Sequence, residues 1–155
     1  MRQLNDTIIR GMGRTKPEID VGYIVGLTDG EGCFFVNTSK SSAYRSGWQV
    51  QTHFHIKLRA EDQEVLWKIR DTLQCGNVYF QKEQRKNHTQ CYRYTVSAKR
   101  DILEKIIPFF TSHPLQTVSK QKSFNAFCEI ATLIEKGEHL TEKGVGKIRV
   151  LKQTM

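Results

Sequence analysis

The sequence predicts an α+β domain in which a helix–strand–strand unit occurs twice, followed by further helices, with the helices covering one face of an antiparallel sheet. Three observations predict it. Apolar residues recur at helical spacing in four segments, the stretch Trp48 to Leu58 alternates mostly apolar with polar side chains, and Gly, Pro or Ser punctuates most junctions between these segments.

The first helix runs from Pro17 to Asp29 (PEIDVGYIVGLTD). Pro17 suits a first turn, Glu18 and Asp20 complement the positive helix end, and Gly30 and Gly32 stop it. Two strands follow, Cys33 to Lys40 and Trp48 to Leu58, joined by a Ser- and Gly-containing turn. Glu61 to Leu73 is the second helix, with Val65, Leu66, Ile69 and Leu73 on one stripe, and Cys75-Gly76 closes it. The next strands are Asn77 to Lys82 and Cys91 to Val96, connected by the polar run EQRKNH, which is expected to be mobile. Ser97 is placed to N-cap a third helix whose apolar face is Ile102, Leu103, Ile106 and Ile107. Beyond Pro114, a helix from Ser119 to Glu135 buries Phe124, Phe127, Cys128, Ala131 and Ile134 and ends at Gly137. A last helix, Thr141 to Lys152, carries Val145, Ile148 and Leu151 at helical spacing. No composition shift divides the chain, so residues 17–155 form one domain and residues 1–16 an N-terminal arm.

At 155 residues the chain is long enough for one compact core. Its 38% hydrophobic and 26% charged residues are ordinary for a globular protein, and its apolar runs are too short to span a membrane. Met1 to Pro17 carries Arg2, Arg10 and Arg14 but only Ile8-Ile9 as an apolar pair, which is not a secretory signal. Four scattered cysteines without a Cys-x-x-Cys pair read as free packing thiols in a reducing compartment, and their spacing with the five histidines does not support a zinc site. A net charge of +8 and a pI near 9.4 favour a polyanionic partner, provided the charge is gathered on one surface.

Strand parity supplies that surface. In WQVQTHFHIKL the side chains of Trp48, Val50, Thr52, Phe54, Ile56 and Leu58 share one face, and Gln49, Gln51, His53, His55 and Lys57 the other. Such alternation commonly means only a solvated outer face. Here, though, the polar face carries no acid and is rich in Gln and His, flat donors and acceptors suited to base edges. The same parity puts Cys91, Arg93 and Thr95 outward in CYRYTV, groups Asn77, Tyr79 and Gln81, and groups Phe35, Asn37 and Ser39, with an outward Phe35 the poorest fit. A carbohydrate- or protein-binding sheet has similar chemistry, so parity alone does not choose among ligands.

Ile24-Val25-Gly26-Leu27-Thr28-Asp29-Gly30-Glu31-Gly32, followed by Cys33-Phe34, resembles the LAGLIDADG motif of homing endonucleases. Gly22, Gly26 and Gly30 recur every four residues and form a helix face that another backbone can approach closely. An amphipathic helix ending in a glycine turn is common, but it does not explain an acid set between two glycines. The resemblance continues through FHIKLRAEDQEVLWKI and CGNV, through VSKQKSFNAF, and into HLTEKGVGKIRVLKQTM, so it covers the chain from about residue 17 to its end.

The resemblance implies the αββαββα homing-endonuclease fold, with a saddle-shaped antiparallel sheet and extra C-terminal helices. It implies cleavage of both strands of a long, near-palindromic DNA target, in the service of intron homing. One motif copy implies a homodimer packed through Gly22 and Gly26. Glu31, the motif's second acid, is implied as a catalytic residue and metal ligand, helped by the Gly30 carbonyl; Mg²⁺ or another divalent cation is the cofactor. Asp29 is structural in this reading. Lys120 falls at the family's active-site lysine, with Lys122 as the alternative. The Gln that orients water in some members has no match, because Leu58 stands there between Lys57 and Arg59. Expected DNA contacts are Asn37, Ser39, Gln49, Gln51, His53, His55, Lys57, Tyr79, Gln81, Arg93 and Thr95. A strand of ten residues spans roughly 33 Å, about one turn of B-DNA. Two rival readings keep the fold: an intron maturase that binds its host RNA, and a DNA-binding regulator that does not cut. The C-terminal resemblance implies an organelle, chloroplast or mitochondrion, as host, with a bacterial or archaeal cytoplasm as the alternative.

Overall fold

The computed structural model describes residues 19–84 and 88–155. The expected arm at 1–16, the helix-opening Pro17 and Glu18, and residues 85–87 of the β-hairpin connection lie outside the described residues. In chain order the elements are α1 (Val21–Glu31), β1 (Gly32–Lys40), β2 (Trp48–Arg59), α2 (Gln63–Leu73), β3 (Asn77–Gln81), β4 (Cys91–Val96), α3 (99–112), α4 (Val118–Glu135) and α5 (Glu142–Lys152). This is the αββαββα order, with two helices added.

The four strands are antiparallel in the order β1-β2-β4-β3, so the two hairpins meet through β2 and β4. Val36, Val50, Phe54, Ile56, Tyr94 and Val96 are buried on one face, against which the helices pack. Phe34 lies at the centre, with its ring centroid 5.1 Å from Phe54, 5.5 Å from Phe110, 5.1 Å from Phe124 and 5.3 Å from Phe127. It joins β1 and β2 to α3 and α4. Each such buried ring contributes about 1.5–3 kcal/mol through apolar burial.

Several local signals act differently from the sequence reading. Asp20 is the N-cap of α1 and accepts a hydrogen bond from the Tyr23 N–H at 3.1 Å. Gly30 does not stop this helix: it lies in the last turn, and Gly32 is the C-cap. Ser97 is not the cap of α3. Ala98 holds that position, and the Ser97 hydroxyl instead pairs with His53 Nδ1 at 3.0 Å. Within α3, Ile102–Ile106 widens into a π-helical stretch just before Pro108. Pro108 has no N–H to give to the carbonyl four residues back, and its ring would crowd that carbonyl, so a wider turn accommodates it. The turn after α2 is left-handed at Gln74 (φ 53°) and Gly76 (φ 73°). A Cβ on Gly76 would sit 2.6 Å from the Thr95 carbonyl oxygen, so β4 requires glycine there. Tyr94 fixes the same turn by donating its hydroxyl proton to the Cys75 carbonyl at 2.9 Å.

Candidate functional site

Strand register gathers the outward residues into rows across the sheet. His55 stands opposite Cys33 on one side and Thr95 on the other, and Thr95 stands opposite Asn77. The next row is Lys57, Arg93 and Tyr79, and then come Arg59, Cys91 and Gln81. On the β1 side, Phe35 faces His53, Asn37 faces Gln51 and Ser39 faces Gln49. All eleven sheet residues expected to face DNA therefore share one face. Phe35 belongs to it as well: it is 41% exposed, with ring centroids 6.0 Å from both His53 and His55.

Burial holds the His55 imidazole neutral down to about 4, assisted by the nearby charges of Arg93 and His53, and burial lowers His53 in the same direction. Neutral imidazoles offer one donor and one acceptor each, which suits base edges better than charge alone. The cationic members are Arg59, Lys57 and Arg93, and the last two stand directly opposite each other. Such a like-charge pair is unfavourable by itself. Glu83, just past β3, forms an ion pair with Lys57 and relieves it. Arg93 Nε and Gln81 Oε1 are buried on this face without a hydrogen-bond partner among the described residues. The last helix adds one cation that the strand pattern does not contain: the Lys152 ammonium lies 5.8 Å from the Phe35 ring centre, whereas Arg149 stacks at 4.3 Å on Trp48, which has core-side parity.

The second part of the site lies where α1 runs into β1. Gly30 and Glu31 are exposed, and Gly32 is buried. A Cβ on Gly32 would lie 2.7 Å from the Thr28 carbonyl oxygen and 2.8 Å from its Cα, so only glycine permits this tight exit. Lys120, in the first turn of α4, donates from Nζ to the Gly32 carbonyl. The expected catalytic lysine thus sits one residue from Glu31, across 88 positions of sequence. Lys122 is exposed and lines a shallow pocket beside Lys120, Ser119 and Ser123. Leu58 packs against the core and contributes no polar group. Asp29 accepts hydrogen bonds from Gln116 N–H at 2.9 Å, Thr117 N–H at 3.1 Å and the Thr117 hydroxyl at 2.9 Å. Burial alone would raise its carboxyl, but these bonds and the Lys120 charge hold it below the ordinary range.

The outer side of α1 is apolar and is not covered by any other of the described residues. Ile24 and Val25 face the core, whereas Tyr23 is 49% exposed and Gly22, Gly26 and Gly30 are exposed. A Cβ added at Gly26 or Gly30 would meet nothing within 4 Å among the described residues. Apolar residues on both sides are expected of a helix with packing partners on both sides.

Topology and site together define the class, a homing-endonuclease fold. The crystal structure of the homing endonuclease I-TnaI matches with a TM-score of 0.78 and 36% identity, over 89% of this chain and 88% of that one. The meganuclease I-SmaMI bound to uncleaveable DNA matches with a TM-score of 0.79 and 30% identity, over 88% of this chain and 44% of that one. The family model for LAGLIDADG endonuclease matches residues 24–131. This chain belongs to the LAGLIDADG endonuclease family. Among its relatives are a 50.9 kDa protein in ND4 intron 1 of Podospora anserina, 34% identical, and the probable intron-encoded endonuclease 2 of Neurospora crassa, 33% identical. The matches cover 80% and 86% of this chain but 26% of each relative, so the chain spans about a quarter of their length. No helix among the described residues is long and apolar enough to cross a membrane.

Proposed function

We propose that this chain is a metal-dependent, site-specific DNA endonuclease that works as a homodimer and makes a double-strand break in a long, near-palindromic target, so promoting homing of its intron. The observation that carries the reading is the bond from Lys120 to the Gly32 carbonyl, the residue after Glu31, at the exit of α1, on a chain whose sheet presents Gln, His, Asn, Lys and Arg on one face. I-SmaMI, a structural neighbour, binds DNA and has also been seen with uncleaved target in the presence of calcium ions. This chain matches 44% of the I-SmaMI chain, which supports two copies here doing what one longer chain does there. The open glycine face of α1 is the natural seam for that pairing. Intron-encoded relatives support homing and an organellar host.

The donor set fits Mg²⁺. Glu31 and the Gly30 carbonyl are exposed hard oxygen ligands, and no cluster of three or more His, Cys, Asp or Glu side chains suited to a metal exists among the described residues. Mg²⁺ characteristically takes one or two carboxylates and completes its shell with water and phosphate oxygens. When bound, the ion supplies an activated water and neutralises charge on the attacked phosphate. Lys120, held at the Gly32 carbonyl, adds a positive charge at the exit of α1 for the negative charge developing in the transition state. Lys57 and Arg93 hold phosphates or guanine edges, while Asn37, Ser39, Gln49, Gln51, His53, His55, Tyr79, Gln81 and Thr95 contact bases or backbone.

The test is incubation of purified protein with Mg²⁺ and the uninterrupted allele of its host gene. Defined double-strand breaks are expected. Bound but intact DNA would favour the non-cutting regulator, and splicing of the host intron RNA without DNA cleavage would favour a maturase.

A further inference from the structure

We propose that Asp29, the first acid of the motif, is a positioning residue for Lys120: it latches the start of α4 onto the exit of α1 and so sets where the lysine ammonium lies. This rests on the reading of Lys120 as part of the catalytic site. Both Asp29 carboxylate oxygens are occupied by the two residues that lead into α4. Oδ2 accepts from Gln116 N–H at 2.9 Å, and Oδ1 accepts from Thr117 N–H at 3.1 Å and from its hydroxyl at 2.9 Å.

Thr117 is the N-cap of α4, yet its side chain makes no capping bond to its own helix. A threonine there ordinarily accepts a hydrogen bond from an N–H of the first turn. Its hydroxyl is instead turned outward, donating to an acid 88 residues earlier. The helix gives up its own cap, and two distant elements are tied together in return.

The geometry of the second tie explains what this achieves. Three residues past Thr117 is Lys120, and three residues past Asp29 is Gly32, whose carbonyl accepts from Lys120. α4 is therefore stitched to the α1–β1 junction at two points, each three residues from the other along its chain. A helix held at one point rotates about it, and a step of one residue turns a side chain by about 100°. The core packing of Phe124 and Phe127 holds the body of the helix, so with the Asp29 tie removed the first turn, which carries Lys120, would keep only the lysine's own bond to this junction. The two motif acids divide the work because residues two apart on a helix project to different sides. Asp29 turns to α4 of its own chain, and Glu31 is exposed.

The experiment compares Asp29→Ala, Asp29→Asn, Thr117→Val and Thr117→Ser, each with Lys120 present and in a Lys120→Ala background. Single-turnover cleavage at saturating DNA is read with Mg²⁺, and DNA affinity is read with Ca²⁺. Asp29→Ala is expected to slow cleavage on the order of 10- to 100-fold, the penalty of a misplaced catalytic group. Affinity should stay within about twofold, and the same change on Lys120→Ala should alter the rate by less than about twofold. Thr117→Val should be slow, and Thr117→Ser, which keeps the hydroxyl, close to the parent. An additive loss on Lys120→Ala, an unchanged rate, or a fall in affinity that accounts for the rate would overturn the proposal. Should Asp29→Ala not fold, Asp29→Asn and Thr117→Val carry the same comparison. Should the parent protein cut no DNA, the functional reading fails separately. Amide exchange at residues 119–122 then tests the latch, which predicts acceleration in Asp29→Asn and is refuted by unchanged protection.

Discussion

Gly26→Ala separates the folding of one chain from the pairing of two. Gly26 lies mid-helix in α1, is exposed, and an added methyl would touch nothing within 4 Å among the described residues. Glycine in such a position costs about 1 kcal/mol relative to alanine, so the isolated chain should gain that amount. For a domain of this size the gain corresponds to a rise in melting temperature of about 3 °C. In a dimer that packs α1 against its twofold mate, the same methyl enters the seam from both sides. Overpacking costs roughly 1–3 kcal/mol per site, hence about 2–6 kcal/mol per dimer and a dimerisation weakened at least about 30-fold. Sedimentation equilibrium across a concentration series, paired with thermal unfolding at each concentration, reads both effects. The expected result is a sign reversal: more stable than the parent when dilute, less stable and less dimeric when concentrated. A variant that dimerises as the parent does and melts higher at every concentration would refute the assignment of this face to the interface.

Gly32→Ala should destabilise by about 1–3 kcal/mol, measured as a lower denaturant midpoint, because its methyl would press on the Thr28 backbone even though φ −74° and ψ 151° suit alanine. His55 makes stability fall in acid. Its folded value near 4 lies below the unfolded 6.5, so the unfolded chain takes up the proton first. The contribution is complete above 6.5 and is lost as pH drops towards 4; discounted for a half-exposed ring, it is about 1 kcal/mol, and His55→Gln should flatten that part of the stability–pH curve. Glu83→Gln removes the counter-charge on Lys57, so DNA affinity should rise and its log–log salt slope should steepen by about one in anisotropy titrations, whereas an unchanged slope would place Lys57 away from phosphate.

Much of this was legible because it depends on period and order. The alternation from Trp48 to Leu58 sorts each side chain to a face whatever the strand pairs with, and the same parity rule sorted β1, β3 and β4. Register then had only to bring those faces together, as in the row Cys33, His55, Thr95, Asn77. Residue Lys120 was singled out by resemblance alone, since nothing local distinguishes it from other lysines at a helix start. What escaped the sequence were features that need two distant partners. Ser97 has the chemistry of a cap but is drawn to His53, and Thr117 has it too but is drawn to Asp29. Glu83 and Lys152 reach the outward sheet face from outside the strands, so no strand pattern reveals them. The π-helical turn before Pro108 was signalled by the proline, but the wider turn is one of several ways a helix accommodates it.

The most direct test of the central claim is cleavage by Glu31→Gln. The substitution removes the charge of the exposed acid proposed to hold the metal while leaving the sheet face and Lys120 in place. With Mg²⁺ and the cognate target, the parent protein should cut both strands at fixed positions. Glu31→Gln should bind the same DNA with nearly parental affinity in Ca²⁺ and leave both strands unnicked in Mg²⁺. Cleavage by Glu31→Gln at the parental rate would contradict the assignment of this acid to the metal and, with it, the account of how the site works.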